Sequence, residues 1–409
     1  MMNLNKYVYN YFLFLFSIIP ITIILGSAVS LLNVLLIDLS FIILLIYKKN
    51  FFFLKNKTIS YLFILYIYLI FNSFISIDYS ESILRNLGFL RIIILFIAFN
   101  YFYHQKFFFQ KMFKSWLLII LIVIFDVFFE FLYGKNILGY DGSAYGQRIV
   151  SFFKDEPIVG GFLNCFFLIL IGFFINKNKN YKYYIFFLII LFLASIFITG
   201  ERSSSLRVLL GISIFLLLFK EINLNSKISI IFAIFFIIFI SIFSTSNLNH
   251  RFNLKDRFVS QVMEQKHHYF DLYQSGFQVF KNNKIFGVGN KNYRVETCDR
   301  NEITSAKNKD KYICTTHPHQ IYFELLSEHG IIGSTIILLI FYKLIFSKIV
   351  KTSLEKNYLK IGSLIYLILH FLPIIPSGAF FNSFGLTLFA INLSIFYASD
   401  KSLNVFKLK

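Results

Sequence analysis

The chain of 409 residues is 57% hydrophobic and 20% aromatic, with 56 phenylalanines and a formal charge of +19. Apolar runs of about 18 residues or more, each long enough for a hydrocarbon core of ~30 Å, recur along it, which excludes a soluble domain. The alternation of a membrane barrel is missing, so the reading is an all-α, polytopic membrane protein.

About twelve spans are predicted, near 9–27, 28–47, 59–77, 83–103, 115–133, 157–176, 181–199, 203–219, 227–245, 330–348, 358–375 and 379–398. The first has the apolar length of a signal peptide, but no clear small-x-small cleavage site precedes the second, so it is read as retained. Lysine marks alternate connections: Lys48, Lys49, Lys55 and Lys57; Lys106, Lys111 and Lys114; Lys177, Lys179 and Lys182; Lys220 and Lys227; Lys348, Lys351 and Lys356. Lysine and arginine in short loops favour the cytoplasm, so both termini are expected there. The positive charge is scattered through these loops rather than gathered on one face, which argues against a nucleic-acid partner. Membrane lipids are the expected surroundings.

The outward side carries longer segments, at 134–156 and 246–329. The chain is therefore divided into nine helices at 1–245, a large, partly helical periplasmic loop at 246–329, and three helices at 330–409. Cys298 and Cys314 both fall in that loop, where an oxidising compartment would permit a disulfide; two free thiols are the alternative.

Charges within spans are costly and usually face the bundle interior. Arg91 and Asp126 are expected at similar depth in neighbouring antiparallel spans, as are Arg85 and Glu130. Either couple could form an ion pair, structural or part of an active site, and Asp38 could be a further partner. Arg202 and Arg207 in "TGERSSSLRVLLG" (199–211), and Arg148 in the shorter outward loop, place three arginines on one rim. Arginine matches phosphate oxygens with a bidentate fork, which lysine cannot do.

Within the large loop, 254–282 has the spacing of an amphipathic helix, with Phe258, Val262, Tyr269, Leu272, Tyr273, Phe277 and Phe280 on its apolar positions. "NKIFGVGNKNY" (283–293) reads as a tight turn, and 294–313 as a polar surface excursion. "TTHPHQIYFELLSEHGIIG" (315–333) follows. Pro318 suits a first helical position, with Gln320, Glu324 and Glu328 in one stripe. His317 and His319 then sit at a helix N-terminus, which attracts anions and favours a neutral imidazole able to act as a base. His319 is read as that base; a structural corner is the plainer reading, and it suits His317. His329, at the C-terminal end of the same helix, is expected to compensate the helix dipole or to be interfacial.

"HPHQIYFELLSEHGIIG" (317–333) resembles the signature of the O-antigen ligase and polymerase superfamily, in which a His-Asn-x-Tyr-Leu segment enters a Leu-x-Glu-x-Gly-x-x-Gly helix. "GERSSSL" (200–206) resembles that family's Gly-Ser-Arg-Ser turn, and 283–293 its Pro-x-x-Gly-x-Gly turn. Gln320 stands where asparagine is usual, His329 where an apolar residue is common, and Glu201 at a small polar position. The resemblance implies a GT-C-like fold in the bacterial inner membrane and a periplasmic site. It also implies glycan transfer from an undecaprenyl-pyrophosphate carrier without cofactor or metal, and no Asp-x-Asp pair occurs in the chain. His319 would take the proton of the acceptor hydroxyl, and Arg202, Arg148 and Arg207 would hold the pyrophosphate. His317, Gln320, Tyr322, Glu324, Arg91 and Asp126 would support them. The acceptor would be lipid A-core for a ligase, or a second lipid-linked glycan for a polymerase. A lipid-linked sugar flippase or transporter is the alternative of another class; the repeated halves common in transporters are not seen.

Overall fold

The computed structural model describes residues 4–146, 148–154, 156–177, 182–244, 252, 268–298, 311–373 and 375–406. The secondary structure there is helical. The helices used below are α1 (Lys6–Ser17), α2 (Ile19–Ile24), α3 (Ser27–Lys48), α4 (Lys57–Phe74), α5 (Tyr79–Leu87), α6 (Phe89–Phe102), α7 (Phe108–Tyr133) and α8 (Val159–Lys177). They continue with α9 (Lys182–Ile198), α10 (Arg202–Leu218), α11 (Leu224–Ser244), α12 (His268–Asn282), α13 (Tyr293–Cys298), α14 (Ile321–Leu344), α15 (Tyr358–His370) and α16 (Ser383–Ala398).

Every predicted span contains helix, but length divides them. Six stretches of the described residues are long and apolar enough to cross a membrane: Ser27–Lys48, Lys57–Phe74, Tyr79–Phe102, Phe108–Tyr133, Val159–Lys177 and Ile321–Ser353. Tyr183–Ile198, Leu224–Phe236, Tyr358–His370 and Ser383–Ala398 are shorter apolar helices. The first predicted span is two pieces, α1 and α2, because Pro20 has no N–H to offer Phe16 four residues earlier. The indole of Trp116 on α7 donates to that carbonyl instead, at 2.9 Å. Phe12, Phe16, Phe99, Phe102 and Phe108 close around this joint with ring centroids 4.5–5.5 Å apart.

The helices are apolar on both faces, as lipid-bathed helices are. On α3, Val34, Ile37, Phe41 and Leu45 are buried while Leu32, Leu39, Ile43 and Ile46 are exposed. Helix starts follow the sequence where a short polar side chain precedes the run. Asn5, Asn56 and Asp78 accept from Tyr7, Thr58 and Ser80 N–H, respectively.

The connections segregate to two ends. At one, Lys360 is fully buried between Glu355 (2.7 Å) and Asp400. At the other, the site end, α12 covers the 311–320 segment so closely that a Cβ on Gly276 would lie 2.7 Å from Pro318. A disulfide joins Cys298 at the end of α13 to Cys314. Of the predicted amphipathic helix, 268–282 is observed; Phe258 and Val262 lie outside the described residues, as does 299–310 of the polar excursion.

Gly330 kinks α14, with φ 62° and ψ −167°. The break frees two carbonyls and two N–H groups, which the 284–289 turn takes up completely. Val288 and Gly289 donate to Ser327 and Glu328 carbonyls, while Ile331 and Ile332 donate to those of Lys284 and Ile285, at 2.8–3.2 Å. The glycine turn and the kinked helix thus fix each other.

Candidate functional site

The segment between α15 and α16 is where the predicted residues meet. Its sequence, "IPSGAFFN" (375–382), leaves its backbone groups with no helix to bond them. Side chains from four directions supply most of the partners. Arg207 Nη2 on α10 donates to the Pro376 carbonyl at 3.0 Å, and His317 Nε2 donates to that of Ser377 at 3.2 Å. The Ser377 N–H donates to the His319 carbonyl at 2.9 Å. Both carboxylate oxygens of Glu324 accept from Phe380 N–H, at 2.9 and 3.1 Å. Arg85 Nη1 donates to the Phe381 carbonyl at 2.8 Å, and Arg91 Nη2 to the Ser383 hydroxyl at 3.2 Å. Arg207 and the histidine turn therefore meet on two consecutive residues, 376 and 377.

The histidine turn differs from its expected form. Pro318 is not the first helical residue. The helix begins at Ile321, and Gln320 Oε1 accepts from Tyr322 and Phe323 N–H at 2.8 and 3.0 Å. The long amide reaches the groups that an anion was expected to find open. His319 is left in the left-handed region at φ 56°, an unfavourable conformation that surrounding contacts must hold. Its ring lies 4.1 Å from that of His317, centroid to centroid, and 6.2 Å edge-on from Tyr269.

His317 is buried. Its Nε2–H serves the Ser377 carbonyl, so Nδ1 accepts from Thr316 Oγ1, at 2.9 Å. Burial, followed by the neighbouring His319, lowers its pKa to about 4, so the ring is neutral. Tyr322 donates to the Phe371 carbonyl at 2.7 Å and ties α14 to the end of α15. Gln320, Glu324 and Glu328 are all buried: the polar stripe faces inward, and Ile331 and Ile332 are exposed. His329 is likewise not interfacial. It is fully buried, with Nδ1 3.2 Å from the Tyr68 hydroxyl.

The arginine rim is built by carboxylates. Glu201 accepts from the first N–H groups of α8, Gly160 at 2.6 Å and Gly161 at 3.1 Å, and from Ser204 Oγ at 2.9 Å. Burial raises the pKa of Glu201, against those bonds and the charge of Arg148. Ile149 N–H donates to Thr199 O at 3.3 Å, which brings Arg148 beside the 199–202 turn. Arg202 is the exposed first residue of α10.

Neither of the alternative intramembrane ion pairs, Arg91–Asp126 or Arg85–Glu130, forms. Asp126 accepts from Ile137 N–H and Ser151 Oγ, and Glu130 from Val150 and Ser151 N–H. Both acids therefore hold the 134–153 loop that carries Arg148, while Arg85 turns to the Phe381 carbonyl and Arg91 to the Ser383 hydroxyl. A polar loop end offered more hydrogen bonds than one guanidinium across two helices.

Several donors in this cluster have no acceptor among the described residues: Nε of Arg148 and of Arg207, and the hydroxyls of Ser205 and Ser377. Buried donors are nearly always satisfied, so an arrangement that leaves several open suits a ligand rich in anionic oxygen. Ser377 and the loop around it were missed at the sequence level. The signal available was Pro-Ser-Gly between two apolar runs, closed by Asn382, which caps α16 through Gly385 N–H.

No curated protein matches the chain. Residues 186–339 match the sequence model of the family described as O-antigen ligase. That stretch runs from α9 to α14 and includes Arg202, Arg207, His317 and His319, and the match agrees with the motifs at 200–206 and 317–333.

Proposed function

We propose that this chain is an inverting glycosyltransferase of the O-antigen ligase type. It moves a glycan from undecaprenyl pyrophosphate to a sugar hydroxyl of lipid A-core, at the periplasmic face of the bacterial inner membrane. The twelve-span topology with both termini cytoplasmic belongs to this reading. The observation that carries it is the meeting of Arg207 with His317 and His319 on residues 376 and 377, together with buried donors of Arg148, Arg207, Ser205 and Ser377 that have no acceptor among the described residues.

His319 takes the proton from the acceptor hydroxyl as its oxygen attacks the anomeric carbon. The bond from that carbon to the pyrophosphate oxygen breaks on the opposite side, so the configuration inverts. Undecaprenyl pyrophosphate leaves with the electron pair, and Arg148, Arg202 and Arg207 stabilise the charge that develops on it. Cationic forks fill this role without a divalent ion, and the chain has no Asp-x-Asp pair to hold one. His317, neutral and bonded at both nitrogens, positions the turn; Gln320 and Glu324 fix its two flanks.

The test is the lipopolysaccharide profile of a strain lacking this gene, complemented with wild type or His319→Ala at equal protein level. Long glycan accumulating on undecaprenyl pyrophosphate over a bare core supports a ligase with an essential His319. A core carrying a single repeat unit makes the protein a polymerase, which shares the donor chemistry. A normal profile from His319→Ala reduces the histidine to a structural corner.

A further inference from the structure

A second cationic site lies on the far side of the same loop. A cavity of about 260 Å³ is lined by Glu81, Leu84 and Arg85 of α5, Arg91 of α6, Lys291 and Ser383, among others. Three cations from three segments face one carboxylate, Glu81, which pairs with Lys291. The carboxyls that bear on the arginines from elsewhere, Asp38 on Arg91 and Glu324 and Glu328 on Arg85, do not line it. Arg85 and Arg91 each bond a neutral oxygen of the loop, and a guanidinium has more donors than that one bond uses.

Two features say what the cavity takes. Lys291 is held at φ 67°, in the left-handed region where glycine or asparagine would be easier. Its ammonium bonds Glu81 at the cavity wall, which holds the positive charge there. Apolar surface adjoins the cavity: Leu84, which lines it, is 77% exposed, and Leu87, one turn on along α5, 48% exposed. At this volume the cavity is smaller than the pockets of about 300–1,000 Å³ that enclose whole small molecules. It fits a headgroup whose chains lie outside.

We propose that this cavity binds the phosphate of a membrane lipid, with Arg85, Arg91 and Lys291 on the phosphate and the acyl chains along Leu84 and Leu87. It is separate from the His319 cluster, yet its arginines hold residues 381 and 383 of the loop that bears that cluster.

The test is native mass spectrometry of the full chain in detergent, titrated with phosphatidic acid, with diacylglycerol of the same chains, and with inorganic phosphate as competitor. Phosphatidic acid should bind at least about tenfold more tightly than diacylglycerol, the equivalent of one good charge-assisted contact. Lys291→Glu, at an exposed position, should remove most of that preference without disturbing the loop; Leu84→Glu should weaken the lipid similarly. Equal binding of the two lipids, or an unchanged preference in Lys291→Glu, overturns the site. Displacement of phosphatidic acid by inorganic phosphate at equal concentration overturns the lipid, leaving a free-phosphate site.

Discussion

The two ends of the bundle use charge in opposite ways. At the lysine-rich end, Lys360 is buried against Glu355 and Asp400, and Lys356 lies 3.8 Å from Glu221. Charges there meet charges, and the field cancels locally. At the site end Lys291 still pairs with Glu81, but Arg85 and Arg207 donate to loop carbonyls and Arg91 to the Ser383 hydroxyl at the start of α16. Such bonds fix the guanidinium groups without neutralising them, so the positive charge is not cancelled by the bond. An ion pair stabilises a fold; a cation bonded to a carbonyl can also serve a ligand.

The comparison breaks most visibly at His319. Removing a general base usually costs about 10²–10⁴ in rate, so His319→Ala should abolish glycan transfer in membranes while the melting temperature of the purified protein moves little. A melting temperature that collapses would put His319 with the structural residues.

Lys360→Met probes the other end. It leaves Asp400 and Glu355 without their buried partner, and should cost about 3 kcal/mol or more in unfolding experiments. Transfer per folded molecule should be unchanged; an activity loss would mean that the two ends are not independent.

His317 gives a pH-dependent effect. Its pKa is near 4 in the folded chain, against 6.5 for an unperturbed histidine. A lowered folded value means that the unfolded chain binds the proton first. Stability is therefore complete above about pH 6.5 and falls as the pH drops toward 4, by about 3 kcal/mol in all. Melting curves across that window should show the loss, and His317→Gln should flatten it.

The smallest expected effect is at Glu324. Glu324→Ala orphans the buried N–H of Phe380, a cost of about 1–3 kcal/mol. Glu324→Gln keeps an acceptor and should recover most of it. Hydrogen exchange at residues 378–382 should rise in the alanine variant alone.

Much of the site was legible before the structure. The histidine motif, the arginine turn at 200–207 and the glycine turn at 283–293 stand out in residue type and spacing. The pairing of intramembrane charges was not. Asp126 and Arg91 lie in neighbouring stretches of chain, but whether an acid takes a guanidinium or a loop N–H depends on which loop folds over it. Nor was the true helix start legible, because proline at 318 gives the stronger local signal while a glutamine cap depends on the side chain reaching back.

What the sequence by itself determined is the class of molecule: runs of apolar residues must be helical where no water can satisfy the backbone. Only the tertiary structure decided that the 375–383 loop is the meeting point. Its backbone groups, unbonded by any helix, had to be satisfied by whatever side chains converged on them, and those came from positions between 85 and 324, too far apart in sequence for any local pattern to join.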